Sequence, residues 1–491
     1  MKLIQKTTIA AMLLFCTTSL NAQEISFTQG SETATSLKKQ STLENFSING
    51  NSYYVTSYME SASMVYYLES FTDNGVALTQ TKLEIPVGVF NNSYGIDGVI
   101  GFGDQAYALV EHINKEAGKI TMSIRAIENG GKVNTSDTEL MVYSFEKVMN
   151  SGFYESSVSP DKNILAISGQ LPYVKEQQAK VKLALFDKSL KATVETEVSI
   201  PGEDTKNKQI TVVVANDGSV YLIKRSMNKI GEIVLTAYQV DMKTGTVKEY
   251  SIDLTAPSYI YTYETALSGN NDLIIAGTYY NRTTVTVGEK KAAGIFMFTN
   301  KNKQEKVLSN FPLDKPVDNL TARKVLVNGN TIYLAAEQFK EERIDPPASA
   351  AGSAAAFDYH YNLIHKNEYV IGMDLEGKRK FELNLSKDFS VRDIDHQHVS
   401  AYFISSSKFT IIYNDQRQKY TTESGYNYLI PVVVQVTNDG LMQPGIPLID
   451  KLKLPYEYVL NTSKYVQSTD NQINFLMGKN EGSKFLKITL K

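Results

Sequence analysis

The sequence predicts an all-β chain of tandem four-stranded units. Three observations predict it: a recurring hairpin, a second hairpin that follows each copy, and an aromatic composition suited to strands. The recurring hairpin is an apolar strand, a tight polar turn and an alternating apolar strand. It appears at Phe46–Val55 and around Gly103 and Asp104, ahead of Ala106–Val110. It returns at Val158–Ile167, Val214–Ile223, Leu267–Ala276, Val325–Leu334, Phe403–Ile412 and Val466–Phe475. Gly, Asn and Asp at these turns supply the left-handed or side-chain-bonded conformations that short hairpins need. With Gly50, Gly103, Asp161, Asp217, Asn270, Gly329, Ser406 and Asp470 as anchors, successive spacings are 53, 58, 56, 53, 59, 77 and 64 residues.

The second hairpin is visible at Phe71–Gly75, Val240–Gly245, Met373–Gly377 and Val436–Gly440, and less regularly at Glu128–Gly131, Phe186–Ser189 and Phe298–Asn302. Each unit thus has four strands, A to D, the pattern of propeller blades. The eighth unit has strands in Gln472–Met477 and Lys484–Leu490 and no strand D. A spare strand, Glu24–Phe27 or Thr33–Leu37, precedes the first unit. Pairing it into the last blade would close the ring and remove an open sheet edge. The expectation is a β-propeller of eight four-stranded blades closed by an N-terminal strand. The alternatives are a seven-bladed ring with one degenerate unit and an array of β-sandwiches. Over nearly the whole mature chain the pattern resembles the secreted bacterial β-propeller class. The Gly-His and Trp-Asp signatures of WD40 repeats are missing, and the chain has no Trp at all. The resemblance implies a rigid disc with loops on two faces and implies no activity.

The 30 Tyr and 20 Phe favour half-buried pleated surfaces. Met1, Lys2 and Lys6 give a positive start, Ile9–Phe15 is a short apolar run, and a polar stretch ends at Asn21-Ala22. This reads as a secretory signal over residues 1–22, too short to span a bilayer. The single domain then covers 23–491, exported to the periplasm or the cell surface. Cys16 is the only cysteine and lies inside that signal. Lipidation there would need a small residue before it, where bulky Phe15 stands. A mature chain without cysteine has no disulfides, so stability must come from burial. The net charge of −3, with acids and bases mixed along the chain, gives no electrostatic footprint for nucleic acid. No later segment is apolar enough for a transmembrane helix.

The outsized spacing holds an insertion at about 341–367, between strands B and C of blade six. Asp345–Ala356 is small and proline-led, and Phe357–His365 is aromatic. B-to-C and D-to-A links leave a propeller on the same face, and the link to blade seven is Asp388–His398. His360, His365, Asp393, Asp395, His396 and His398 are therefore expected on one face of adjacent blades, with His112 of blade two on that face as well. A divalent-metal site is one reading. His396, His398 and one of His360 or His365 would be ligands, and an aspartate the fourth ligand or a supporting partner. Loop decoration is the plainer reading. The B-to-C links also bring Glu111, Lys224, Arg225, Tyr279, Tyr280, Arg282, Arg417 and Tyr420 to this face. Tyr279, Arg282, Tyr359, Tyr361 and Arg417 are the candidate ligand-binding residues, since Arg and Tyr suit a carboxylate or an anionic sugar.

The sequence holds no Gly-X-Ser-X-Gly elbow, no phosphate loop, no dinucleotide fingerprint and no EF-hand ladder. The first expectation is a binding or scaffold protein that holds a protein or glycan near blades six and seven. The alternative is a metal-dependent hydrolase or lyase using the His/Asp cluster.

Overall fold

The computed structural model describes residues 25–33, 41–60, 63–85, 92–128, 130–147, 150, 152–204, 209–282, 291–344, 360–392, 400–420, 429–448, 459–479 and 482–490. The 1–22 signal, Tyr359, Asp393, Asp395, His396 and His398 lie outside the described residues. The regular structure described is almost entirely strand. In chain order the strands are β1 (Ile25–Thr33), β2 (Ser41–Ile48), β3 (Asn51–Glu60), β4 (Ser63–Phe71), β5 (Ala77–Leu83), β6 (Asn92–Phe102), β7 (Gln105–Asn114), β8 (Lys119–Ala126) and β9 (Thr138–Ser144). Then come β10 (Phe153–Val158), β11 (Leu165–Gln170), β12 (Gln178–Phe186), β13 (Ala192–Glu203), β14 (Gln209–Val214), β15 (Val220–Met227), β16 (Ile233–Val240), β17 (Val247–Ile252), β18 (Ser258–Leu267), β19 (Leu273–Asn281), β20 (Lys291–Thr299) and β21 (Val307–Asp318). The last are β22 (Leu320–Asn328), β23 (Thr331–Ile344), β24 (His360–Asp374), β25 (Arg379–Leu385), β26 (Phe389–Arg392), β27 (Ala401–Ser405), β28 (Lys408–Gln416), β29 (Leu429–Val436), β30 (Ile446–Pro447), β31 (Val459–Thr469), β32 (Gln472–Lys479) and β33 (Gly482–Leu490).

These form antiparallel meanders: β2–β5, β6–β9, β10–β13, β14–β17, β18–β21, β22–β25, β27–β30 and β31–β33. A single bridge, Ile233 to Ile260, joins β14–β17 and β18–β21 into one eight-stranded sheet. β1 pairs antiparallel with β33, from Ile25 opposite Leu490 to Thr33 opposite Ser483. The first strand of the chain thereby supplies the fourth strand beside β31–β33.

Both faces of a sheet are covered by its neighbours, so the central strands read as continuous apolar runs. β19 is buried from Leu273 to Tyr280. The apolar clusters lie between successive sheets. Val55 and Leu68 meet Val99 and Val110, Leu109 and Met122 meet Leu165 and Ile167, and Val181 and Val198 meet Val212 and Leu222. Tyr54 and Phe71 of the β2–β5 sheet share a cluster with Val466, Leu476 and Phe485 of β31–β33. The turns between first and second strands are also laced together. Asn49 Nδ2 donates to Asp104 O (3.3 Å), Gly103 N to Lys162 O (3.0 Å) and Asp161 N to Asn216 Oδ1 (3.0 Å). Tyr221 OH donates to Asn271 O (2.7 Å), Asn328 Nδ2 to Ser407 O (2.7 Å) and Ser406 Oγ to Asn471 Oδ1 (2.6 Å).

The insertion at 341–367 is strand at both ends, a correction to the loop expected there. β23 and β24 continue as a hairpin as far as Ile344 opposite His360. β26 adds to it, with Phe389 opposite His365 and Arg392 opposite Asn362. The reason is local: Tyr361, Leu363 and His365 share one face of β24, and Leu363 and His365 are buried there, which lets the strand pair on beyond the sheet. The result is a three-stranded ribbon.

Where β1 meets the β2–β5 sheet, two glycines touch. Ser31 N donates to Gly75 O (2.8 Å), and a Cβ added to Gly30 would lie 2.3 Å from that same oxygen. Both neighbours are backbone and cannot rotate away. Gly30→Ala is therefore expected to cost about 1–3 kcal/mol, the usual overpacking penalty. Thermal unfolding measures it, and an unchanged midpoint would refute this packing.

Candidate functional site

The base of the ribbon is held by a buried polar network. Arg323 comes from β22, Glu337 from β23 and His365 and Glu368 from β24. Lys387 and Ser400 come from the link that follows β25, and Tyr402 from β27. The Arg323 Nε and Nη2 groups each sit 2.8 Å from Glu337 Oε2. Glu337 Oε1 lies 2.7 Å from both His365 Nδ1 and Lys387 Nζ. Lys387 Nζ also donates to Glu368 Oε1 (2.5 Å) and Ser400 Oγ (3.4 Å), and Ser400 Oγ donates to the same Glu368 oxygen. Tyr402 OH reaches Glu368 Oε2 at 3.4 Å. Glu337, His365 and Lys387 are fully buried.

Two carboxylates, one ammonium and one guanidinium balance in charge, which is what allows them inside. Burial pushes Glu337 upward, but Lys387, Arg323 and the His365 hydrogen bond outweigh it and hold the carboxyl well below its usual range. Burial lowers Lys387, and Glu337 and Glu368 more than reverse that. A row of three rings crosses the ribbon above these charges. Phe339 and His365 centroids are 5.0 Å apart, and His365 stacks on Phe389 at 4.9 Å. Arg323 Cζ lies 4.4 Å from the Phe339 centroid.

The expected metal ligand His365 is thus a core residue. Its ring is packed in that row and its Nδ1 is engaged with Glu337, so the metal reading is corrected at this position. His360 is the first residue of β24, opposite Ile344. Among the described residues no group of three or more His, Cys, Asp or Glu is arranged to hold a metal ion. His112 stacks on Tyr94, with centroids 4.0 Å apart, away from the ribbon on the β6–β9 sheet.

The ligand-binding candidates separate. Tyr279 is buried in the core between β14–β17 and β18–β21, which corrects its placement on a loop face. Arg282 is turned to Glu232 of the preceding sheet, Nη1 to Oε1 3.1 Å. Tyr361 is 45% exposed on the ribbon. Arg417 lies in a short 3-10 turn, Arg417–Lys419, after β28. That turn is tied to the Lys387 segment: Lys419 Nζ donates to Ser386 O (3.3 Å) and Gln416 Nε2 to Asp388 O (2.7 Å). The links around β22–β25 and β27–β30 do meet, through these contacts and β26. A groove of about 150 Å³ opens at the ribbon base between Asp318, Gln338, Lys340 and Ile364.

A second set was only partly visible in the sequence, at Glu111. Asp97, Glu155 and Glu264 lie on the first strands of their sheets, and Glu111 on β7. Burial, with Asp97 nearby, pushes Glu111 up to about 7. Burial does the same to Glu155, also to about 7, with a Val212 N–H opposing and Asp97 adding. Glu264 rises to about 7 through burial, tempered by Lys324 and Arg323. Asp97 and Arg323 each sit at an irregularity in the pairing of first and second strands, between Ile96 and Gly98 and between Ala322 and Lys324. Such bulges re-aim side chains. Carboxylates that titrate near neutrality can donate or accept protons. A charged residue in a strand between apolar neighbours was the available signal, visible at Ala336-Glu337 and Glu368-Tyr369-Val370.

No family model and no curated protein matches the chain. Solved structures resemble it distantly. The β-propeller domain of the Trilobed protease from Pyrococcus furiosus is 10% identical, covers 85% of this chain and 99% of its own, and has a TM-score of 0.36. A polysaccharide lyase, an ulvan lyase, is 10% identical with 87% and 100% covered and a TM-score of 0.42. An α-L-arabinanase from Penicillium chrysogenum, in complex with arabinobiose, is 11% identical with 63% and 93% covered and a TM-score of 0.35. Likeness at this level says nothing of chemistry. No helix among the described residues is long and apolar enough to cross a membrane.

Lys387→Met would leave Glu337 and Glu368 buried without their shared cation. It is expected to destabilise by about 3–5 kcal/mol in chemical denaturation. A loss below about 1 kcal/mol would show that the network relaxes freely. The pH signs differ between the two sets. Glu337 is depressed in the folded chain, so its contribution is complete above the ordinary carboxylate range and fades as pH falls through its folded value. Glu111, Glu155 and Glu264 are raised, so the folded chain keeps protons that the unfolded chain releases. Stability is then lost as pH rises from about 4.5 to about 7. A variant with all three changed to Gln should gain on the parent across that window, and parallel pH profiles would contradict the assignment.

Proposed function

We propose that the chain is an exported β-propeller of eight blades, one domain over residues 23–491, that binds a protein or glycan through the ribbon of its sixth blade. Eight is supported by the four-stranded meanders and by apolar clusters shared between successive sheets. Closure is supported by the β1–β33 pairing and by the cluster that joins the last sheet to the first. Export rests on the signal read at residues 1–22.

The observation that carries the binding reading is the anchored ribbon. Strands that extend past their sheet are held at the base by a charge-balanced network whose Glu337, His365 and Lys387 are buried. The extension presents exposed Tyr361, an edge of mixed charge and the groove beside Lys340. Rigid support of a projecting aromatic is what a recognition surface needs, because little ordering remains to be done on binding.

The test is a glycan array and a peptide library probed with the purified chain and with Tyr361→Ala. Saturable binding that weakens about tenfold in the variant supports the reading. Binding indifferent to the ribbon, or turnover that is lost in His396→Ala, overturns it. Metal analysis separates the alternative. The binding reading expects far less than one ion per chain. One tightly held ion that disappears in His396→Ala/His398→Ala would establish a metal-dependent hydrolase or lyase.

A further inference from the structure

The opposite face carries a cavity that neither the ribbon nor the candidate metal cluster uses. It has a volume of about 530 Å³ and opens among the turns of the first three sheets. That volume lies in the range of small-molecule sites.

The floor is apolar. Ala106 begins β7 and Ile127 follows β8, both are buried, and Ile127 N donates to Ala106 O at 2.9 Å. The walls are two half-buried tyrosines. Tyr53 of β3 is held by stacking on Phe46, with centroids 5.2 Å apart and planes 13° apart. Tyr107 of β7 stands beside Asp104, and burial and that carboxylate raise its hydroxyl. The rim is polar. Asp104 and Gln105 are exposed at the β6–β7 turn, and Glu128 is exposed at the start of the 128–131 turn, where Gly131 N donates to its carbonyl.

The third sheet adds a single cation. Lys188 projects from the turn between β12 and β13, and Asp187 Oδ1 fixes that turn by accepting from Ser189 N (2.9 Å) and Lys191 N (3.2 Å). The Lys188 stem lies over Gly103, where an added Cβ would come within 3.5 Å of its Cγ. The turns that frame the cavity are joined by Asn49 to Asp104 and Gly103 to Lys162, so they are set before any ligand arrives.

Aromatic faces over an apolar floor suit the C–H face of a pyranose, and the ring of carboxylate, amide and ammonium suits its hydroxyls. Two carboxylates against one ammonium disfavour an acidic sugar. From this geometry we infer that the cavity is a saccharide subsite for a hydroxyl-rich sugar unit without an acid group. This is a second site, on the face opposite the ribbon and independent of it.

Calorimetric titration of the full chain with three probes tests it: a glucose oligomer, a glucosamine oligomer and a galacturonate oligomer. Saturable binding is expected for one or both of the first two, with galacturonate at least about tenfold weaker. Asp104→Asn/Glu128→Gln touches only exposed side chains and should fold as the parent does. It is expected to weaken binding about tenfold. Tyr107→Ala should abolish binding. Absence of saturation with all three probes, preference for galacturonate, or parental affinity in the Asp104/Glu128 double variant each overturns the assignment.

Discussion

Everything in this chain depends on sheets that bury both faces against their neighbours. The described residues include no cysteine, and their helical elements are short 3-10 turns alone. The apolar area between successive sheets therefore supplies the main cohesion. That condition governs the rest. A polar group inside such a stack must find a partner, and Glu337, Glu368, Lys387 and Arg323 find one another. Where Gln170 points between sheets, its amide donates to Ile210 O of the next sheet at 2.6 Å. Thr262 Oγ1 likewise accepts from Ala322 N of the following sheet at 2.8 Å.

The repeat was legible because it rests on turn chemistry. Gly103, Gly218 and Gly329 all adopt positive φ at the turns where the spacing placed them, and Asn49, Asn271 and Ser406 do the same without being glycine. Turn residues report local backbone demand, and that demand is written in the sequence. The insertion was less legible. Its small, proline-led middle drew attention away from the pairing capacity of its flanks, and only the pairing with β26 reveals a third strand.

Near the candidate site, the meeting of two links was legible and the side-chain contacts were not. Alternation of strand direction brings the Lys387 link and the Arg417 turn together, as the topology required. The same rule could not tell that His365 is buried at the ribbon base while Tyr361, four residues along on the same face, is exposed, because a two-residue period fixes facing and not depth. Nor could it separate Tyr279, a core residue, from a loop tyrosine: the β19 segment is apolar from end to end. Asp97 and Arg323 were hidden for a different reason. A bulge shifts the facing by one residue, and bulges leave no reliable mark in a single sequence.

The pairing of β1 with β33 has a consequence for how the chain folds. Ile25 and Leu490 are 465 residues apart, and the other described strands lie between them. Until the two strands meet, β1 has no sheet to join and β31–β33 have no outer strand. The contact with the greatest sequence separation is thus the one that covers an open edge, and closing it removes a template for pairing with other copies.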